Sequence, residues 1–212
     1  MEKDILIDAL NRRYATKTFD ADKKIDEATM QTLLESLRLA PSSFGLQPRW
    51  FVRVINPKMR QQLREHARGQ GQITDASDLI VLCRKTVIDE SLVQTYINNI
   101  SETRGVSQED LQWFKNTMLG FLEQRDSQRL AQRAHKQVYI AMGFLLETAA
   151  LLQVDACPME GFNPAKFDEV LSLEKLWLAS VATVALWYRS PDDTHAIMAK
   201  VRFDQSDVII SL

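Results

Sequence analysis

Apolar residues recur along this chain with two different periods, and the change from one to the other marks its elements. Ile5, Leu6, Ala9 and Leu10 are spaced for one face of a helix over residues 3–13, after which Tyr14 to Phe19 reads as irregular or extended. Met30, Leu33, Leu34 and Leu37 fall at i, i+3, i+4 and i+7 behind Asp26, a residue type that caps helix N-termini, and this second helix should stop at Pro41. Residues 50–55 read as a strand, Met59 and Leu63 as the inner face of a short helix, Gly69 to Gln72 as a loop, and residues 79–83 as another strand.

From Asp89 to Leu130 the pattern is polar and helical, with Ser107 and Asp110 at capping-box spacing and a bulky group formed by Trp113, Phe114, Met118, Phe121 and Leu122. Helix packing is the simplest use for that group. Residues 132–152 predict a further helix, apolar on nearly every side after Gln137. A helix with no polar face has to be surrounded, and in a domain of this size a second subunit is one way to do it. Asn163-Pro164 supplies a cap and a first-position proline for a short helix ending near Leu173. Residues 180–187 read as a strand rich in β-branched positions, and residues 207–212, with Val208, Ile209 and Ile210, as a last one. No repeat, low-complexity tract or linker interrupts the sequence. The expected architecture is a single domain over residues 1–212, an α+β sandwich with one sheet of four or five strands wrapped by helices.

Composition narrows the function. At 212 residues and 45% hydrophobic the chain can bury one sizeable core. Its 26 basic and 28 acidic side chains are interspersed, so no basic face extends far enough for nucleic acid. Cys83 and Cys157 are too few for a disulfide framework and lack zinc-site spacing, which fits reduced thiols in the cytoplasm. Residues 1–4 carry mixed charge and lead into an amphipathic helix, so no export signal is expected. The stretch from Val138 to Leu152 contains Glu147 and falls short of the roughly 20 apolar residues a membrane span needs. His66, His135 and His195 are isolated, and no metal is expected. There is no GxSxG, P-loop or GxGxxG motif, and seven glycines are few for cradling phosphate by backbone approach. A phosphate would have to be held by side-chain cations. Arg13 with Lys17 and Lys200 with Arg202 are spaced to project such cations together, the first pair in helical chain and the second in extended chain.

Four segments carry a family likeness: Arg13-Tyr14-Ala15-Thr16-Lys17-Thr18-Phe19, then Ala40-Pro41-Ser42-Ser43-Phe44-Gly45-Leu46-Gln47-Pro48, then Cys157-Pro158-Met159-Glu160-Gly161-Phe162, and finally Lys200-Val201-Arg202. In that order and at those separations they resemble the nitroreductase family, in its small FMN-dependent branch, over about the whole chain. The resemblance implies a three-layer sandwich with a mostly antiparallel sheet and a homodimer whose C-terminal strand crosses to the partner's sheet. It also implies bound FMN and NAD(P)H as reductant. The acceptor would be small, flat and electron-poor, such as a nitroaromatic or a quinone, reduced in two-electron steps with ping-pong kinetics.

Carried over position by position, the resemblance puts Arg13 on the FMN phosphate with Lys200 and Arg202, Tyr14 and Ala15 in the same motif, and Lys17 near the ribityl chain and the pyrimidine edge. Pro41, Ser42, Ser43 and Gly45 would lie along the flavin from the partner subunit, and Gln137 would touch the phosphate end. Pro158, Met159, Glu160 and Gly161 would form the turn behind the isoalloxazine, with Gly69 and Gln72 beside the pyrimidine. The bulky residues 113–122 would help cover the partner's flavin. No side chain is assigned as catalytic, and Cys157 reads as structural. Three positions depart from the pattern. Ala15 stands where serine is common, Gly45 where asparagine is common, and Gln72 where some relatives have lysine, so weaker FMN binding and a lower reduction potential are expected. Alternatives are a reductase of pteridines, enones or free flavin, a low-turnover flavin store or sensor, and a helical interaction module without a cofactor.

Overall fold

The second helix shows how the chain builds its core. In the computed structural model, which describes residues 3–20 and 22–212, α1 (Lys3–Arg12) is followed by α2 (Glu27–Leu39). Asp26 accepts the Thr29 amide at 2.9 Å to start α2, and Ala40, at ψ 139°, is turned out of helical geometry by the proline that follows it. Met30, Leu33 and Leu37 are completely buried, each contributing about 1.5–3 kcal/mol. They pack with Val138, Ala141 and Leu145 of α7 (Ser127–Leu151) against one face of the sheet. Met1 and Glu2, part of the N-terminal sequence reading, lie outside the described residues.

The sheet has four strands, β1 (Arg49–Val54), β2 (Asp78–Lys85), β3 (Asp155–Met159) and β4 (Leu178–Trp187), in the order β1-β2-β4-β3 with every neighbouring pair antiparallel. Asp78 to Cys83 of β2 are all buried because helices cover both faces. On the face away from α2 and α7 lie α3 (Pro57–Glu65), α4 (Gln72–Asp75) and α8 (Pro164–Val170), which contribute Leu63, Ile73 and Phe167. The result is the expected three-layer α+β sandwich. To one side, α5 (Glu90–Arg104) and α6 (Gln112–Glu123) enclose a smaller core with Leu46.

Four readings of the chain change. The helical stretch after Asp89 breaks at Gly105, whose φ of 64° suits glycine. Ser107 Oγ does accept the Asp110 amide at 3.1 Å, yet regular helix begins only at Gln112. α7 starts at Ser127, earlier than its apolar stripe, because Asp126 caps it through the Arg129 amide at 2.7 Å. β3 is a strand that the periodicity did not reveal, and Pro158 is tolerated there because β3 is an edge strand. The tail over 207–212, expected as a strand, instead carries a short helix, α9 (Gln205–Val208), and among the described residues pairs with no strand. Its three consecutive apolar residues are exposed.

Candidate active site

The first basic motif closes α1 and then runs beside β3. The Arg13 amide donates to the Ala9 carbonyl at 3.1 Å, Ala15 bridges Ala156 in parallel register, and the Thr16 amide donates to Ala156 at 3.3 Å. The Lys17 and Thr18 amides both donate to Oδ2 of Asp193, at 2.8 and 3.0 Å. A single carboxylate, only 3% exposed, thus ties the two extremities of the chain together. Burial alone would raise the pKa of Asp193, but the Thr18, Lys17 and His195 amides override it and hold the group at about 2. The turn that Asp193 caps brings the chain back, and Lys200 Nζ donates to the Arg13 carbonyl.

Arg13, Lys200 and Arg202 consequently line one cleft of about 510 Å³, with Tyr14 and Ala15 on its wall. Its charge is unbalanced. Asp155, the buried acid nearby, pairs with Arg189 at 2.9 Å and Arg12 at 3.7 Å. Among the described residues no carboxylate pairs with Arg13, Lys200 or Arg202. Burial lowers the pKa of Arg13 and Arg202 lowers it further; burial likewise lowers Lys200, followed by the charges of Arg13 and Arg202. Tyr14 Oη is buried beside Asp193 without meeting hydrogen-bonding geometry, and its pKa is pushed up to about 12, chiefly by burial. Thr16 Oγ1 is also buried and without a hydrogen bond among the described residues. Tyr14 lines the cleft as a residue, but its hydroxyl is turned inward beside Asp193.

A second group continues from the basic motif along β3. The chain leaves β3 after Met159 through a tight turn in which the Phe162 amide donates to the Glu160 carbonyl at 2.8 Å. Gln70 Nε2 donates to the Gly161 carbonyl at 3.1 Å, which brings the Gly69–Gln72 segment against the Pro158–Gly161 turn. Gln72 itself opens α4 and is half-buried. Burial raises the thiol of Cys157 and the charge of Lys17 only opposes this, while burial pushes Cys83 up to about 12. Neither thiol has thiolate character at neutral pH, in keeping with a structural Cys157.

The Pro41–Gly45 loop forms a separate anchor. Arg49, 5% exposed, donates to the carbonyls of Pro41 at 2.8 Å, Gln137 at 3.2 Å and Ala40. Gln137 Oε1 accepts the Ser43 amide at 2.8 Å, and its Nε2 donates to the Arg133 carbonyl at 3.3 Å. Gln137 is therefore buried with the loop rather than exposed in the cleft with Arg13. Within one chain the structure unites Arg13, Tyr14, Ala15, Lys200 and Arg202 in the cleft, with Lys17 beside it. It unites Gly69 and Gln72 with the Pro158–Gly161 turn, and it gathers Pro41, Ser42, Ser43, Gly45 and Gln137 elsewhere.

The model of the Nitroreductase family matches residues 10–186. The chain belongs to the nitroreductase family. It is 37% identical over 212 residues to a provisionally named NAD(P)H nitroreductase of Staphylococcus saprophyticus, an alignment covering 96% of this chain and 95% of that one. A solved nitroreductase-type structure in complex with FMN from Exiguobacterium sibiricum superposes with a TM-score of 0.84 at 20% identity, covering 98% and 97% of the two chains. The enone reductase CLA-ER, from a gut-bacterial fatty-acid saturation pathway, superposes with a TM-score of 0.81 at 21% identity over 100% and 99%. At such identities these two structures share the fold of this nitroreductase and no more. No helix among its described residues is long and apolar enough to cross a membrane.

The donor set of the cleft suits a phosphate group. Guanidinium and ammonium groups meet phosphate oxygens by charge-assisted hydrogen bonds, and mutually repelling cations gain most from an added anion. Lys200 and Arg202 lie beyond the matched span of the nitroreductase family model, so their place here rests on the geometry of this chain. Sequence reading missed three residues that build the site: Asp193, Asp155 and Arg49. Arg49 alone left a trace, as a charge at the first position of a strand directly after a proline.

Proposed function

We propose that this nitroreductase is an FMN-dependent NAD(P)H oxidoreductase, a cytoplasmic homodimer that reduces flat, electron-poor acceptors such as nitroaromatics and quinones. The observation that carries the reading is the cleft where Arg13, Lys200 and Arg202 meet without a counter-charge. Bound FMN would supply two-electron hydride chemistry that side chains lack. Arg13, Lys200 and Arg202 would hold its phosphate, with Tyr14 and Ala15 on the wall beside it. Lys17, the Gly69–Gln72 segment and the Pro158–Gly161 turn would flank its ring. The Pro41–Gly45 loop, anchored away from its own cleft, would serve the partner's site. This chain's residues bind and orient, and none need act as acid or base. Reductant and acceptor would use one site in turn, giving ping-pong kinetics. The name of the S. saprophyticus relative and the FMN in the Exiguobacterium structure support the cofactor and reductant. Two free, buried cysteines suit a reducing compartment. The enone reductase on the same fold makes activated alkenes the second acceptor class to examine.

The test is direct. The purified protein should be yellow, release FMN on heating, bleach anaerobically with NADH or NADPH, and recover its colour with a nitroaromatic or quinone in parallel-line steady-state kinetics. Colourless protein that takes up no added FMN would sink the reading.

A further inference from the structure

Two arginines outside the cleft share one aromatic ring. The guanidinium carbon of Arg125 lies 3.5 Å from the centre of the Phe121 ring, and that of Arg133 lies 4.3 Å from it. Arg125 sits in the turn between α6 and α7, and Arg133 in the early part of α7. Phe121 packs edge-on against Phe44, with centroids 5.1 Å apart at 75°. Phe44 belongs to the Pro41–Gly45 loop and is held there at φ 59°, where bulky residues are strained. Arg133 Nη2 also donates to Ser43 Oγ. The two cations, the aromatic platform and the loop form one cluster.

Its charge is unbalanced as well. Among the described residues no carboxylate pairs with Arg125 or Arg133, and Asp126, next in sequence to Arg125, pairs with Arg129 at 3.7 Å. Among the described residues the Arg125 guanidinium donates once, to the Phe121 carbonyl at 2.7 Å, and that of Arg133 once, to Ser43. Most N–H donors of each guanidinium are left over. Burial lowers the pKa of Arg133 and the charge of Arg125 lowers it again. Cation–π attraction holds both groups on the ring, so the pair is arranged before any ligand arrives. An added negative group beside them would offset their repulsion and use the spare donors.

We propose that Arg125 and Arg133 form an anion subsite beside the Pro41–Gly45 loop, reading a phosphate or carboxylate on a small molecule that visits the redox centre. Two sources share that chemistry: the phosphates of the nicotinamide nucleotide and a carboxylate on the acceptor. The proposal rests on the function proposed above for the identity of these ligands, while the affinity for an anion rests on the cluster alone. Arg125 is the specificity-determining member, and Arg133 also steadies the loop through Ser43.

The test uses oxidised holoprotein, so that binding is read without turnover. Wild type, Arg125→Gln and Arg125→Lys are titrated calorimetrically with NADP⁺ and phosphate-free nicotinamide riboside, and with 4-nitrobenzoate and its neutral analogue 4-nitrobenzamide. Arg125→Gln should weaken the anionic member of at least one pair by roughly five- to tenfold, the scale of one charge-assisted bond at a half-exposed site. The member without phosphate or carboxylate should stay unchanged, and Arg125→Lys should recover part of the loss. Loss on NADP⁺ assigns the subsite to the reductant, and loss on 4-nitrobenzoate to the acceptor. Unchanged affinities throughout would overturn the proposal. A separate titration with inorganic phosphate, followed at the arginine Nε resonances of Arg125 and Arg133, keeps the two readings apart. Shifts there in protein that holds no FMN would uphold the subsite while removing the flavin function, and an absence of shifts would reject the subsite whatever the flavin result.

Discussion

A Cβ on Gly45 would collide with Tyr96 Oη and lie 2.7 Å from its Cζ, and the backbone there has φ 74°. A side chain at this place would therefore compete for space with the far end of Tyr96 on α5. Gly45→Asn should lower stability by about 1–3 kcal/mol through clash and backbone strain, and adding Tyr96→Ala should recover the part due to the clash. Denaturant unfolding of both variants measures this, and a wild-type midpoint for the single variant would contradict it. Lys200 allows a sharper test, because binding and stability should move in opposite directions. Its pKa is lowered in the fold below the ordinary 10.5, first by burial and then by Arg13 and Arg202. Over the pH interval just below 10.5 the unfolded chain therefore holds more protons, and the stability of flavin-free protein should rise with pH. Lys200→Met should flatten that rise, leave the flavin-free protein at least as stable at neutral pH, and weaken FMN binding by roughly tenfold or more. Loss of both stability and affinity would mean that Lys200 is structural.

At the scale of elements, the cleft exists because Asp193 joins the segment after α1 to the turn at 194–197 across 176 positions of sequence. Its folded pKa of about 2 lies below the ordinary 3.8. The stability it contributes is fully present above 3.8 and is lost as pH falls from there toward 2, to a total of about 2 kcal/mol. Asp193→Asn should remove this acid-side loss and release FMN together with the C-terminal segment, as unfolding curves between pH 2 and 5 and flavin retention would report. Nothing local in the sequence points to this role: Pro191-Asp192-Asp193 reads as a surface turn, and its partners lie near the other terminus. α2 was legible because one side of it is buried against the sheet and α7, so its buried residues repeat with the helix period. β3 was not, because residues 155–159 hold a proline and no β-branched residue, and they become a strand through pairing with β4 at Cys157↔Ala185 and Met159↔Thr183. The basic pairs could be read as cations in search of an anion, and the fold supplies the convergence that spacing alone could not. In the long polar region after Asp89 the capping-box spacing at Ser107 hinted at a new helix, but the stop at Gly105 was not legible because glycine carries no side chain to disturb the pattern.

The whole molecule carries more exposed apolar surface than one subunit accounts for. α7, expected to be enclosed, leaves Ile140 and Phe144 exposed at 39% and 42%, and α1, which packs on α7, exposes Ile5 and Ile7. The tail adds Val208, Ile209 and Ile210 without a strand of its own chain to join. These exposed apolar residues are the surface that the proposed dimer would cover, and the loop anchored by Arg49 would give it a functional reason, since that loop lies apart from its own chain's cleft. Sedimentation should therefore give a dimer. Phe144→Glu would bury a carboxylate in that interface and should shift the protein toward monomer, with FMN retention falling in parallel because each site would lose the loop donated to it. Leu176→Glu, at a more exposed leucine between Leu173 and Leu178 of the other core cluster, should change neither. Removal of residues 207–212 should weaken the dimer without unfolding the sheet, since no strand of the chain pairs with that tail. A wild-type monomer that keeps its flavin would break the link between assembly and site, and would require the Pro41–Gly45 loop to have another purpose.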